Sequence, residues 1–292
     1  MRILVTGAGG FLGGAILRRL TARGDMDVLA AARSDLANEW AAAKALAAAK
    51  PDVIVHAAGR TYGPAEALQA DNVAATEALA RAVAAVSPEC GLILLGSAAQ
   101  YGRSLTWTPW RESDPGAPID AYGASKLAAE SVAFTATGRT TALRIFNVIA
   151  PEPTGGQVFS SFLRQAAAAM AAAPPRRVAL GPVGAVRDFV DVADVLTAVE
   201  RVIDRGVWGE PINVCSGVGR TVRALLEATA AQIDGDISID EAASPPPALD
   251  WSVGDPARCQ ALLGFTPSSD LAALTGRAAD WVRNAAKAGA HA

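Results

Sequence analysis

The chain has 292 residues, 51% of them hydrophobic, and a formal net charge of −3 at pH 7; this supports one large α/β domain, or a large one with a small appendage, and argues against nucleic acid as the main partner. Met1-Arg2 runs straight into an apolar run, and the longest apolar stretches are alanine runs broken by charge, so neither export nor a membrane span is expected. Cys90, Cys215 and Cys259 are far apart and odd in number, and His56 and His291 are the only histidines; the pattern predicts reduced thiols, a cytoplasmic location and no metal centre.

In chain order, Ile3-Leu4-Val5 predicts a buried strand. It feeds Thr6-Gly7-Ala8-Gly9-Gly10-Phe11-Leu12-Gly13, after which Ala15 to Leu20 has helical spacing. A strand entering a glycine-rich turn that opens a helix is suited to a dinucleotide pyrophosphate: Gly7 allows the tight turn, Gly10 the close backbone approach, and Gly13 the packing of helix on strand. Asp27 to Ala32 predicts a second strand. Its end meets the adenosine ribose in such folds, where an acid would bind a 2′-hydroxyl and an arginine a 2′-phosphate. Ala32-Arg33 fills that place, which favours NADP over NAD. Asp35-Leu36 reads as the remnant of a third strand beside the adenine.

Glu39 to Lys50 is alanine-rich and predicts a crossover helix ended by Pro51. Asp52 to Gly59 predicts the next strand; Ala57, Ala58 and Gly59 leave room for a cofactor at its end, and His56 reads as a packed, hydrogen-bonded strand residue. Ala65 to Val86 predicts one long helix containing Asn72, and Leu92 to Leu95 a buried strand delivering Ser97 to the ligand side of a parallel sheet. Trp107 to Pro118 predicts a surface loop, Asp120 to Phe134 a helix, and Thr141 to Phe146 a strand leading to Asn147. The alternation predicts a doubly wound parallel α/β sheet over residues 1–150.

Beyond residue 150 the pattern is less regular. Val158 to Ala173 predicts a helix, Arg176 to Leu180 a strand, Val192 to Ile203 a helix, Ile212 to Val214 a strand and Val222 to Gln232 a helix. A proline-rich loop at Pro245-Pro246-Pro247 precedes a final helical region holding Trp281. Residues 151–292 are expected to form a smaller α/β region that holds the substrate, with some returns of the chain to the first sheet.

Tyr122 and Lys126 stand four apart on one predicted helix and share a face. A free phenol titrates near ~10. A neighbouring ammonium, aided by a nicotinamide cation, is expected to lower that value. Tyr122 then suits proton transfer to or from a carbonyl oxygen, and the Ser97 hydroxyl suits holding that oxygen.

Thr6-Gly7-x-x-Gly10-Phe11-x-Gly13, His56-Ala57-Ala58, Ser97 before Tyr101-Gly102, and Tyr122-x-x-x-Lys126 resemble the extended short-chain dehydrogenase/reductase family, the NAD-dependent epimerases and dehydratases. Leu143-Arg144-x-Phe146-Asn147, Arg187-Asp188-Phe189, Asn213-Val214-Cys215-Ser216-Gly217 and Leu263-Gly264-Phe265 extend the resemblance nearly end to end. Within the family the chain is most similar to nucleotide-sugar 4-ketoreductases of the GDP-4-keto-6-deoxymannose reductase type. The resemblance implies a Rossmann fold, a catalytic set of Ser97, Tyr122 and Lys126, and a nucleotide-diphosphate sugar as substrate. It implies cofactor contacts from Gly7, Gly10, Phe11, Leu12, Gly13, Arg33, Asp35, Leu36, Ala57, Ala58, Gly59 and Asn72, as well as Tyr122 and Lys126. Substrate contacts would come from Ser97, Ala98, Tyr122, Asn147 and Arg187, the last two near the diphosphate. A homodimer formed through the helices at Ala65 to Val86 and Asp120 to Phe134 is also implied.

Relatives that dehydrate carry an Asp-Glu pair where this chain has Ala98-Ala99, and 3,5-epimerase/reductases place a cysteine at the position of Ala99. Reduction of a 4-keto group with NADPH is therefore expected. An NAD-retaining 4-epimerase and a catalytically silent cofactor-binding regulator stand as alternatives. The chain departs from the family at Ala242-Ala243-Ser244-Pro245-Pro246-Pro247, where relatives often hold a second phosphate-binding arginine.

Overall fold

The computed structural model describes residues 1–104, 106–154, 158–233, 236–242 and 250–289. The first half runs β1 (Arg2–Thr6), α1 (Phe11–Arg23), β2 (Asp27–Ala30), α2 (Glu39–Ala49), β3 (Val53–His56), α3 (Ala65–Leu68), α4 (Ala75–Val86), β4 (Gly91–Ser97), α5 (Ala121–Ala136) and β5 (Thr140–Ile145). The second half runs β6 (Asn147–Ile149), α6 (Val158–Met170), β7 (Arg176–Leu180), β8 (Val186–Asp191), α7 (Val192–Arg205) and β9 (Pro211–Val214). It continues with β10 (Gly219–Thr221), α8 (Val222–Ala230), β11 (Ile237–Glu241), β12 (Trp251–Ser252), α9 (Ala257–Leu263) and α10 (Leu271–Gly289).

Six strands form one sheet in the order β2-β1-β3-β4-β5-β9, and every pairing in it is parallel. The order reverses between β1 and β3, and ligands of open parallel sheets settle at such a reversal, beyond the carboxyl ends of the strands. The sheet is a doubly wound Rossmann type. One apolar layer, containing Ile16, Leu20, Val195 and Val199, packs α1 and α7 on one face. The other, containing Leu46, Leu79, Val83 and Ala133, packs α2, α4 and α5 on the opposite face. Burial on both faces explains why Ile3-Leu4-Val5 and Leu92 to Leu95 are apolar without alternation.

Asp35 and Leu36 lie in a single 3-10 turn, Arg33–Leu36, and not in a strand remnant. Within the turn, Asp35 Oδ2 accepts the Ala32 amide at 2.7 Å, and β2 is the border of the sheet. The helix expected over Ala65 to Val86 is interrupted by a π-turn at Gln69–Ala74. Such i→i+5 turns are rare and concentrate at functional sites.

A second sheet contains β10, β8 and β12, with β6 pairing to β8. β7 and β11 form a separate parallel pair. Phe159, Phe162, Leu163, Leu226 and Val282 build a distinct core beneath these strands from α6, α8 and α10. β9 rejoins the first sheet beside β5. Residues 155–157 and 243–249, which include Gly155-Gly156 and most of the arginine-free loop, lie outside the described residues.

Candidate active site

The glycine turn leaves no room for side chains at two positions. Gly7 has φ of +67°, and a Cβ there would stand 2.5 Å from the Ala58 nitrogen. A Cβ at Gly13 would stand 2.1 Å from the Gly7 carbonyl oxygen, so α1 rests directly on the turn. The Gly10 amide donates to that carbonyl at 2.9 Å. Gly10 caps α1 without a side chain, so the amides of Phe11, Leu12 and Gly13 open the helix with no side-chain acceptor, an arrangement suited to an anion. The turn borders a cavity of about 1570 Å³, which runs past Ala31 to Ser34, Leu36, Ala57 to Tyr62 and Asp71. Its size and bare backbone fit the adenosine diphosphate part of a dinucleotide.

Gly7, Gly10, Arg33, Leu36, Ala57, Ala58 and Gly59 line this cavity. Asp35 is spent on its own turn. Asn72 sits behind the wall, buried, and clamps Arg60: its Oδ1 accepts the Arg60 amide at 2.6 Å, and its Nδ2 donates to the Arg60 carbonyl at 2.9 Å and to Ser125 Oγ at 2.8 Å. Two residues that sequence reasoning passed over, Arg60 and Asp71, also line the cavity. Asp71 pairs with Arg60 Nε at 2.7 Å and with Arg33 at 3.2 Å. The signal for Asp71 was the Asp71-Asn72 pair inside an alanine-rich helical stretch, two residues that compete with helix backbone hydrogen bonds.

His56 ends β3 opposite Thr6 in β1. The Ala58 amide donates to Thr6 Oγ1 (3.2 Å), which contacts His56 Nδ1 at 2.7 Å; His56 Nε2 lies 3.0 Å from Thr76 Oγ1, which donates to the Asn72 carbonyl at 2.6 Å. Because the Thr76 hydroxyl proton goes to that carbonyl, Nε2–H must donate to Thr76 and Nδ1 must accept from Thr6. Burial, together with the Lys126 charge, pushes the imidazole down to about 3. His56 is the packed strand residue that its position suggested.

The Ser97, Tyr122 and Lys126 side chains converge from two elements. Ser97 ends β4 and caps the 3-10 turn Ala98–Tyr101, its Oγ accepting the Ala99 amide at 3.2 Å. α5 begins at Asp120, whose Oδ1 accepts the Gly123 amide at 2.7 Å and so places Tyr122 in the first turn. From the end of β4, the Ser97 side chain opposes the effect of burial on the Tyr122 phenol. Lys126 Nζ donates to the Leu95 carbonyl at 2.8 Å, and a Cβ at Gly59 would be 3.6 Å from that nitrogen. The amine therefore lies just behind the cavity wall.

Among the protein's own groups, burial raises the Tyr122 phenol, and the Ser97 side chain opposes the rise without reversing it. Lys126 is directed to a backbone carbonyl, and burial pushes it down to about 8. Burial thus favours the protonated form of the Tyr122 phenol.

Asn147 and Arg187 are on paired strands of the second sheet, β6 and β8, and neither lines the cavity. Arg187 is ion-paired with Asp250 at 2.7 Å and donates to the carbonyls of Val186 and Asp250. Ala98 is buried in the core of the first sheet.

Several other motif residues support the site from below. Arg144 forms a bidentate, buried pair with Glu130 of α5, the shortest contact being 2.6 Å. Arg144 also donates to the Tyr101 hydroxyl at 2.7 Å, which donates to Asn213 Oδ1 at 2.7 Å. Asn213 in turn holds the Trp110 carbonyl and the Glu112 carboxylate of the long loop, and Tyr101 stacks on Trp110 at 5.1 Å. Asp188 accepts from the Ser216 amide and hydroxyl, the Gly217 amide and the Gly254 amide.

Among the described residues no group of three or more His, Cys, Asp or Glu could hold a metal ion, and no helix is long and apolar enough to cross a membrane. The three cysteines are buried and unpaired.

The chain belongs to the NAD dependent epimerase/dehydratase family, whose profile matches residues 3–215. It is 33% identical over 293 residues to the dTDP-6-deoxy-L-talose 4-dehydrogenase (NAD(P)(+)) of Kitasatospora kifunensis, covering 92% of each chain. It is 34% identical over 205 residues to the GDP-6-deoxy-D-mannose reductase of Pseudomonas aeruginosa, covering 66% of this chain and 67% of that one. The structure of RMD from Pseudomonas aeruginosa complexed with NADPH superimposes with a TM-score of 0.82 at 29% identity, over 97% of this chain and 99% of that one.

Proposed function

We propose that this protein reduces the 4-keto group of a nucleotide-activated deoxysugar with NADPH. The observation that carries the reading is that Ser97 at the end of β4 and Tyr122 and Lys126 of α5 come together, at the carboxyl ends of the strands and next to the glycine-turn cavity. The glycine turn and the first turn of α1 would hold the pyrophosphate of the cofactor, and Arg33 its 2′-phosphate. When bound, the cofactor supplies a hydride to the sugar carbon. Ser97 holds the carbonyl oxygen by a hydrogen bond, and Tyr122, kept protonated by burial, gives that oxygen a proton. Lys126, close to Gly59, adds a nearby cation that favours the phenolate left behind.

Residues 1–150 would hold the cofactor and residues 151–292 mainly the substrate, with Asn147 and Arg187 at the diphosphate. Arg187 would do so while sharing its charge with Asp250. Association through the segments Ala65 to Val86 and Asp120 to Phe134 belongs to the same reading, and sedimentation tests it.

The reading is tested by incubating the protein with NADPH and 4-keto-6-deoxy sugars on GDP and dTDP. Loss of the reduced-nicotinamide absorbance is expected with at least one of them. Tyr122→Phe should lower kcat by about 10²–10⁴-fold while cofactor affinity stays within about twofold of the unsubstituted chain. Sugar interconversion without net consumption of cofactor would instead identify a 4-epimerase.

A further inference from the structure

The end of β2 contains two opposed recognition groups engaged with each other. Arg33 is highly exposed, with 86% of its side chain accessible. Within its own turn, Asp35 Oδ2 accepts the Ala32 amide. The ion-pair partner of Arg33 comes from the π-turn, where Asp71 Oδ1 meets the guanidinium at 3.2 Å.

Asp71 is the fixed member of the pair. Its other oxygen bonds Arg60 Nε at 2.7 Å, and the Arg60 backbone is clamped on both sides by Asn72. All three charged residues line the same cavity. In doubly wound folds an acid near this strand end accepts the ribose 2′-hydroxyl of NAD, whereas an arginine pairs with the 2′-phosphate of NADP. Here the acid is absent from the strand end, where Ala32 stands, but a carboxylate reaches the same arginine from a different element.

We propose that Asp71 sets the balance between NADP(H) and NAD(H), by competing with the 2′-phosphate for Arg33 while offering an acceptor to a 2′-hydroxyl. Binding of the phosphorylated cofactor makes its 2′-phosphate share the Arg33 guanidinium with Asp71 and brings a phosphate towards a carboxylate. Binding of the unphosphorylated one leaves the pair intact. Asp71 is thus a specificity-determining residue, and its carboxylate keeps the cleft open to both cofactors.

The inference rests on reading the cleft as the cofactor site, and titration calorimetry with NADP⁺ and NAD⁺ separates the two claims. Asp71→Asn should tighten NADP⁺ binding by about 1.5–5-fold, the range expected for one partly exposed charge interaction, and should weaken or leave unchanged the binding of NAD⁺. The gain should shrink at about 1 M salt, where the screening length falls to about 3 Å. It should also shrink in an Arg33→Ala background, since no arginine is then released. Asp71→Ser, with no charge and little bulk, must shift the NADP⁺/NAD⁺ ratio in the same direction. An unchanged ratio in both variants, or a full gain that persists without Arg33, overturns the role of Asp71. Failure of the unsubstituted chain to bind either dinucleotide overturns the cofactor reading and this inference together.

Discussion

His56 shows how a single buried group can be misread as catalytic. It stands at the ligand end of β3, yet both ring nitrogens are consumed by Thr6 and Thr76. Its role is to tie β1 to the helical segment that carries Asn72. This makes a pH prediction with a definite sign. The imidazole is held at about 3 in the folded chain and titrates near ~6.5 when unfolded. Between those values the unfolded chain binds the extra proton, so stability is fully present above about pH 6.5 and is lost as pH falls. In urea unfolding between about pH 6.5 and 4.5, His56→Gln should remove up to about 1.4 kcal/mol per pH unit from the slope, the value of one proton. Equal slopes in the two proteins would mean that His56 is not buried as the neutral form. The sequence identified His56 as a packed residue from its place in an apolar strand. Its partners were not legible, because Thr6 and Thr76 lie 50 and 20 residues away.

At the level of elements, strong periodicity was readable and local irregularity was not. The parallel strands of the first sheet announced themselves as apolar runs, and α5 could be placed from Asp120 onward because an N-cap residue precedes a helical pattern. The π-turn at Gln69–Ala74 escaped notice, since it leaves the composition of a helix unchanged and alters only its phase. β6, β10 and β12 have three, three and two residues, too few to display any period. Their pairing with β8 is set by tertiary contacts. Two predictions belong here. Asp120→Ala removes the cap of the helix carrying Tyr122 and Lys126. It should cost about 1 kcal/mol in urea unfolding and lower kcat more than it changes cofactor affinity. Asn72→Ala deletes three hydrogen bonds holding the cavity wall. A loss of about 1–3 kcal/mol is expected, and hydrogen exchange should accelerate at the Arg60 amide. Unaltered exchange there would show that Asn72 does not fix the wall.

On the scale of the whole molecule, the motifs that carried the family resemblance divide into two kinds. Gly7 lines the cleft, with Gly13 packed on its turn and Lys126 just behind the wall at Gly59, whereas Arg144, Tyr101, Asn213 and Asp188 hold segments together. Sequence alone could not sort them, because a buried arginine in a network and an arginine awaiting phosphate have the same residue type. The decisive case is Arg144, buried against Glu130 and bonded to Tyr101 and the Glu112 carbonyl. It joins α5, β5, the turn after Ser97 and the long loop, so its removal should loosen the setting of Ser97, Tyr122 and Lys126 without touching them. Arg144→Met alone leaves the Glu130 carboxylate buried without its counter-charge, which costs about 3–5 kcal/mol. Glu130→Leu together with Arg144→Met removes both charges and should recover much of that loss, because desolvating the pair offsets most of its attraction. A double-mutant cycle in urea therefore should give a coupling of at least about 2 kcal/mol. Single-substitution costs that simply add would show that the pair contributes nothing beyond its packing.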